Sequence, residues 1–208
     1  MNIANHFIED NLLAEVKLKL LELAYKSKND YLLKHSFHVA FFMKKLAHII
    51  NAPEQECYIA GFIHDIGKLM INNEILNKTT DLTPKEREII KMHPIWGVNE
   101  ICEIEPLKIY APYIMYHHEN VQGTGYPHGI NLNTLPPSIK LIHLVDRYCA
   151  LTEKRAYRTE YPPTIAINIL KEDINILFPE ENNEIIKSLL FYSEKYKEIK
   201  NNNSSPLF

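Results

Sequence analysis

The chain has 208 residues, 46% of them hydrophobic and 24% charged, a balance ordinary for one well-filled core and unlike a disordered, collagenous or coiled-coil chain. Its net charge of −3 and pI near 6.4 argue against a general binder of nucleic-acid polymers or anionic membranes, which carry an excess of Lys and Arg. No apolar run reaches the roughly 18 residues of a membrane span, and "MNIANHFIED" has no basic segment followed by an apolar one, so neither a membrane anchor nor a secretory signal is expected. Cys57, Cys102 and Cys149 form no CxxC and no even set, which fits a reducing cytoplasm better than a disulfide framework.

Helical spacing dominates from the start. Over 8–23, Leu12, Leu13, Val16, Leu20, Leu21 and Leu23 recur at intervals of three and four, which predicts a short amino-terminal helix within 5–27 that packs on the rest. "KND" offers a break, and a second helix is expected from residue 30 to about 50. The next begins near Pro53 and is expected to end at Gly67. "TPKE" is a capping box on Thr83 and Glu86, opening a helix that should run through Lys91 toward Ile104.

"PLKIYAPYIMYHH" predicts a short helix, interrupted or started by Pro112, with His117 and His118 at its far end. After a glycine-rich loop, "PPSIKLIHLVDRYCALTEKR" forms a helix with an apolar face, and two amphipathic segments, 163–177 and 183–200, complete the chain. Residues 201–208 are expected to be a disordered tail. Short β-favouring runs do not alternate. The expectation is all-α: a bundle of about seven or eight helices in a single domain, 1–200, without internal repeats.

Histidine carries the chemistry. Of ten, His6, His48, His128 and His143 are taken as surface or hydrogen-bonded core residues. "HDIGK" places His64 and Asp65 at the end of a strongly apolar helix, where an ionisable pair is costly unless compensated, and imidazole beside carboxylate suits a divalent metal. His35 lies on the preceding helix, Asp146 interrupts an apolar stripe, and His93, His117 and His118 sit on other helices or helix ends. Helical bundles build metal sites from such scattered contributions. Adjacent histidines on a regular helix diverge by about 100°, so His117 and His118 converge only near a helix end or across two neighbouring metals.

The ordered set "H…HDIGK…HPIWG…HHEN..GTGYPHGI…D..CALTEKRAYR", from His35 to Arg158, resembles the HD-GYP branch of the HD-domain metal-dependent phosphohydrolases. The resemblance implies an HD-type helical bundle and two divalent ions, iron or manganese. It places one ion among His35, His64, Asp65 and Asp146, with Asp65 bridging to a second held by His93, His117 and His118. It also implies hydrolysis of cyclic di-GMP to linear pGpG, and in some members on to GMP.

Some members bind a third metal through a glutamate one helical turn before the first histidine; Tyr31 stands there, so two are expected. Asp65 and Lys68 take the catalytic roles, with Lys68, Gly125, Tyr126, Pro127, Arg155 and Arg158 around the substrate. On residues alone, Lys68 is equally a solvated lysine and "EKRAYR" a solvated helix end; their phosphate contacts follow from the resemblance, helped by the forked donors of arginine. Gly123 and Gly125 let the loop turn tightly, so that Tyr126 and Pro127 form a wall beside the dinucleotide.

Glu119 either orients a ligand histidine or is a surface residue. His38, where arginine is usual, stays outside the ligand set. Gln122 and Cys149 stand where the family usually has aspartates, departures that bear on loop geometry, substrate preference or turnover rather than on the metals. The alternatives are an HD phosphohydrolase of another nucleotide or cyclic dinucleotide, and a catalytically weak signalling or binding module. Dimerisation and a signalling partner protein both remain open.

The chemistry has its own logic. Phosphodiester oxygens repel hydroxide, and two divalent ions about 3.5 to 4 Å apart lower the pKa of a water and neutralise the phosphate.

Overall fold

The structure, a computed structural model, describes Leu18 and residues 30–154 and 159–202. The helix expected over 5–27 lies outside the described residues, Leu18 excepted, as do Arg155 and Arg158 and residues 203–208. The described chain contains no strand; an isolated bridge between Asn120 and Asn131 pinches the base of the glycine-rich loop. The all-α expectation is met.

Helix α1, Asp30–Leu46, runs into one 3₁₀ turn, Ala47–Ile50, closed by Asn51 in the left-handed region (φ 53°). Leu32, Ser36, Val39, Met43 and Leu46 are buried at the three- and four-residue spacing of one helical face. Helix α2, Glu54–Ile63, starts after Pro53 with a polar first turn and then buries Cys57, Ile59, Ala60, Phe62 and Ile63, apolar on all sides over its last turns as a central helix must be. It ends at Ile63, earlier than the expected stop at Gly67, and a 3₁₀ turn, Ile66–Met70, follows. That early ending puts His64 and Asp65 in the turn. Gly67 is required there, because a Cβ on it would lie 1.9 Å from the carbonyl oxygen of His93.

After the single turn α3, Asn73–Leu76, the Thr83–Glu86 capping box opens α4, Pro84–Lys91, as the sequence predicts. The helix does not continue toward Ile104. It breaks at Met92, and α5, His93–Cys102, starts afresh because Pro94 has no N–H to give the carbonyl of Ile90. A 3₁₀ segment, Glu105–Tyr110, leads into α6, Ala111–Tyr116, so Pro112 starts this helix rather than interrupting it.

Beyond the loop, α7, Pro137–Thr152, is the buried spine, packing on α1, α2, α6 and α8. Helices α8, Pro163–Leu177, and α9, Asn182–Asn202, close the bundle, the latter continuing past the expected end at residue 200. Tyr148 on α7 lies fully buried with its hydroxyl 2.5 Å from Ser193 Oγ on α9. Its ring meets Phe42 of α1 edge to face at 5.3 Å. These contacts set α7 against α1 so that Asp146 faces His35.

Candidate metal centre

Three of the histidines are oriented by the same local device. His64 Nδ1 donates to the carbonyl of Gly61 (2.8 Å), His93 Nδ1 to that of Ile90 (2.7 Å) and His117 Nδ1 to that of Ile114 (2.8 Å). Each acceptor lies three residues earlier, at a helix end or break where last-turn carbonyls lack intrahelical partners. Ile90 is the clearest instance, since Pro94 has no N–H to give its carbonyl. With the proton on Nδ1, a tautomer assigned from this network, every Nε2 points inward with a lone pair.

The lone pairs converge. His93 Nε2 and His117 Nε2 are 3.1 Å apart, and Asp65 Oδ1 lies 3.2 Å from the first and 3.7 Å from the second. With both Nδ1 atoms carrying the protons, no hydrogen remains to join these three acceptors. Asp65 Oδ2 faces the other way, 3.4 Å from His64 Nε2 and 3.9 Å from His35 Nε2. Asp146 Oδ1 completes that side at 3.0 Å from His35 Nε2 and 3.7 Å from His64 Nε2.

His64 Nε2 and Asp65 Oδ1 are buried without a hydrogen-bond partner. Buried acceptors left facing one another are costly, and a divalent cation satisfies them all at once. Two ligand groups fit such ions: His35, His64 and Asp65; and Asp65, His93, His117 and His118. Asp65 belongs to both, one oxygen to each.

Charge follows the same division. Burial pulls the His93 pKa down to about 4 and holds His118 well below its usual value, so both rings are neutral and ready to ligate. Burial would raise Asp65 and Asp146, but Lys68 and His64 beside the first, and His35 beside the second, hold both carboxyls well below their usual range. His35 goes the other way. Burial lowers its pKa, yet Glu153 and Asp146 outweigh that and push it up to about 10.

His117 caps the end of α6 and His118 follows in the turn, their rings 4.0 Å apart at 44°, so the adjacent pair converges as its place at a helix end predicts. Tyr126 stacks on His118 at 4.6 Å, and its N–H reaches the His118 carbonyl at 3.2 Å. Gly125 is obligatory, because a Cβ there would meet that same carbonyl oxygen at 2.4 Å; the left-handed φ (+67°) belongs to Gly123 instead. Pro127 follows through a cis peptide bond. Lys68 Nζ lies 2.5 Å from Asp65 Oδ2, beside the centre rather than out in solvent.

Glu119 resolves into a role that neither sequence alternative described. Fully buried, it accepts from the N–H groups of His128 (2.7 Å), Gly129 (3.1 Å) and Ile130 (3.1 Å), so it pins the loop directly to the ligand pair before it. Gln122 is exposed, its N–H held by Asn120 Oδ1, and Cys149 is buried with its thiol pushed up by burial. Neither residue is a member of the two ligand groups.

Two residues escape the sequence reading. His143 is the hydrogen-bonded core histidine that the sequence allows, but its partner was not foreseen: its Nδ1 donates to the His117 carbonyl at 3.0 Å and holds that segment from α7. Glu153, also unassigned, contacts both His35 and His38. Its position seven residues after Asp146, two helical turns along the same face, is the signal that could have found it.

The matches to known proteins agree with this architecture. A family model for the HD domain matches residues 19–175. A 3′3′-cGAMP-specific phosphodiesterase of Vibrio cholerae is 29% identical over 83% of this chain and 38% of its own length. A cyclic di-GMP phosphodiesterase of Pseudomonas aeruginosa is 28% identical over 80% of this chain and 41% of its own, and one of Thermotoga maritima 29% over 74% and 43%. The chain thus spans about two fifths of the length of these curated relatives. The HD domain of the Listeria monocytogenes phosphodiesterase PgpH, solved with cyclic-di-AMP, superposes with a TM-score of 0.65 at 20% identity, over 88% of this chain and 96% of that one.

These matches bear out the HD-GYP-type recognition made from the ordered motifs: the chain belongs to the HD-domain family.

Proposed function

We propose that the chain is a metal-dependent phosphodiesterase that opens cyclic di-GMP to linear pGpG, and onward to GMP. One observation carries the catalytic part: the two oxygens of buried Asp65 face two histidine groups, and His64 Nε2 and Asp65 Oδ1 are buried among them without a hydrogen-bond partner. Two divalent ions, iron or manganese, held there would supply a lowered water pKa and positive charge at the scissile phosphate. His35, His64, Asp65 and Asp146 would hold one, and Asp65, His93, His117 and His118 the other.

The chain's own residues do the rest. Lys68, already drawn to the shared carboxylate, presents a point charge to phosphate oxygens at the edge of the centre. Tyr126 offers a ring face beside His118, with Pro127 continuing the wall, and Glu119 holds that loop in register so that little ordering remains when the ligand arrives. Arg155 and Arg158, with forked donors suited to phosphate, complete the proposed substrate set. Hydrolysis puts the water oxygen on phosphorus and breaks the P–O3′ bond, leaving a 5′-phosphate and a free 3′-hydroxyl. Among the described residues no helix is long and apolar enough to cross a membrane, and a net charge of −3 supports a small anionic ligand over a nucleic-acid polymer.

A second reading, hydrolysis of 3′3′-cGAMP, is favoured by the relative named for that substrate. Metal analysis of anaerobically purified protein, followed by chromatography of products from cyclic di-GMP, 3′3′-cGAMP and cyclic di-AMP with and without iron or manganese, separates the two. Cyclic di-GMP should yield pGpG only in the metal-loaded protein. Cleavage of 3′3′-cGAMP alone would establish the second reading; full turnover after chelation would remove both.

A further inference from the structure

His35 cannot use the device that orients the other rings. It sits inside α1, where the carbonyls of Tyr31 and Leu32 accept from N–H groups four residues on and are spoken for within the continuing helix. Its Nδ1 lies instead 2.9 Å from Glu153 Oε2, while Nε2 faces Asp146 Oδ1 at 3.0 Å and Asp65 Oδ2 at 3.9 Å.

Glu153 is the first residue past the end of α7, where the backbone turns extended (φ −102°, ψ 145°) and sends the side chain back toward α1. The carboxylate is only 14% exposed and takes two further partners: the Tyr31 hydroxyl donates to Oε2 at 2.9 Å, and His38 Nδ1 lies 2.6 Å from Oε1. Both imidazoles are backed by rings, His35 by Tyr31 at 5.8 Å and 12°, His38 by Tyr196 at 4.2 Å and 20°. One buried acidic group therefore gathers three donors from successive turns of α1.

We infer that Glu153 is the positioning residue of the His35 side of the centre: its Oε2 holds the proton of His35 on Nδ1 and so aims Nε2 at the ion. A carboxylate in that place does what a backbone carbonyl does for His64, His93 and His117, and adds negative charge that makes Nε2 a better donor to the metal. His38 and Tyr31 fix the carboxylate in turn, so its direction is set before any ion binds. The inference rests on the metal-centre reading and is independent of which nucleotide is cleaved.

The test is titration of the metal-free full chain with Co²⁺ and with Mn²⁺, following the Co²⁺ visible band and the ion count. Wild type should take two ions. Glu153→Ala should bind at one of the two sites about 10- to 100-fold more weakly, with an altered visible band, and keep the other site unchanged. Glu153→Gln, isosteric and so protected against misfolding, keeps an acceptor oxygen and should fall between Glu153→Ala and wild type. Glu153→Ala combined with His35→Ala should be no weaker than His35→Ala alone, because the two act as one unit.

Wild-type affinity at both sites in Glu153→Ala, or losses that simply add in the double variant, would overturn the inference, leaving Glu153 a packing residue for His38. A wild-type chain that binds two ions yet leaves every cyclic dinucleotide intact would remove the proposed activity and leave this inference standing. A wild-type chain that takes up no ion removes both.

Discussion

The two sides of the centre are built by different means. On the side of His93 and His117, each ring is fixed by a carbonyl three residues earlier in its own segment, so a helix end and a proline suffice. On the side of His35, the ring is fixed by Glu153, 118 positions away, and faces Asp146, 111 away. The first arrangement forms as soon as its helix ends do. The second exists only once α1 and α7 have packed, which Phe42 and Tyr148 bring about. Ring orientation therefore depends on core packing for His35 and on local backbone for His93 and His117, while both sides need the bundle to bring their rings together.

Asp65 is where the sides meet, and its loss should have the largest effect. Asp65→Ala removes an oxygen from each ligand group, so both ions should be lost together, with turnover falling by about 10³-fold or more, as removal of several kcal/mol of transition-state stabilisation implies. Ion counts on the purified variant check this. Retention of one tightly bound ion would mean that the two groups are independent and that Asp65 is not shared.

His93→Ala sharpens the contrast. It should empty the locally built side and leave about one ion per chain at the side of His35, His64 and Asp146, as an ion count on the purified variant checks. Loss of both ions would show that the His35 side cannot hold its ion alone.

Glu119 extends the comparison to the loop, since there a buried carboxylate organises backbone instead of a ring. Glu119→Ala frees three N–H groups at positions 128–130, and hydrogen bonds to a charged group contribute roughly 1.5 to 3 kcal/mol each net of exchange with water. The expected result is a rise of about 10- to 100-fold in KM with both ions retained, measured by steady-state kinetics and ion count side by side. A fall in ion content with unchanged KM would put Glu119 on the histidines after all.

The same distinction decides what the sequence could tell. The HD pair, the His117–His118 pair at a helix end and the capping box depend on neighbours within a few residues, and spacing exposed them. The break at Met92 was also written locally, in Pro94, but the capping box before it and the apolar residues after it favoured one long helix; the proline won because Ile90 lost its donor and His93 took the place. Glu153 and His143 were not legible in this way. Their partners are His35 and the His117 carbonyl, brought near only by the packing of α7; the spacing of Glu153 from Asp146 places it on the right face but does not name the partner across the bundle.

The smallest effect should come from the capping box, which lies away from either side. Thr83 Oγ1 accepts from the Glu86 N–H at 3.2 Å, and Glu86 returns to the Thr83 N–H at 2.7 Å while pairing with Lys78. Thr83→Ala should cost about 1 kcal/mol by chemical denaturation and leave both ions in place. Glu86 gives the pH dependence. Its hydrogen bond to Lys78 first, then those to Thr83, lower its pKa from 4.5 to about 2, so the folded state favours the ionised form.

Its contribution is full above pH 4.5 and lost as pH falls through 2. The stability difference between wild type and Glu86→Gln should therefore be level from pH 7 to 5 and shrink from 5 toward 3. A difference that stayed constant over that lower range would mean that Glu86 acts through its shape and not its charge, and the box would then hold the backbone much as a neutral hydroxyl does.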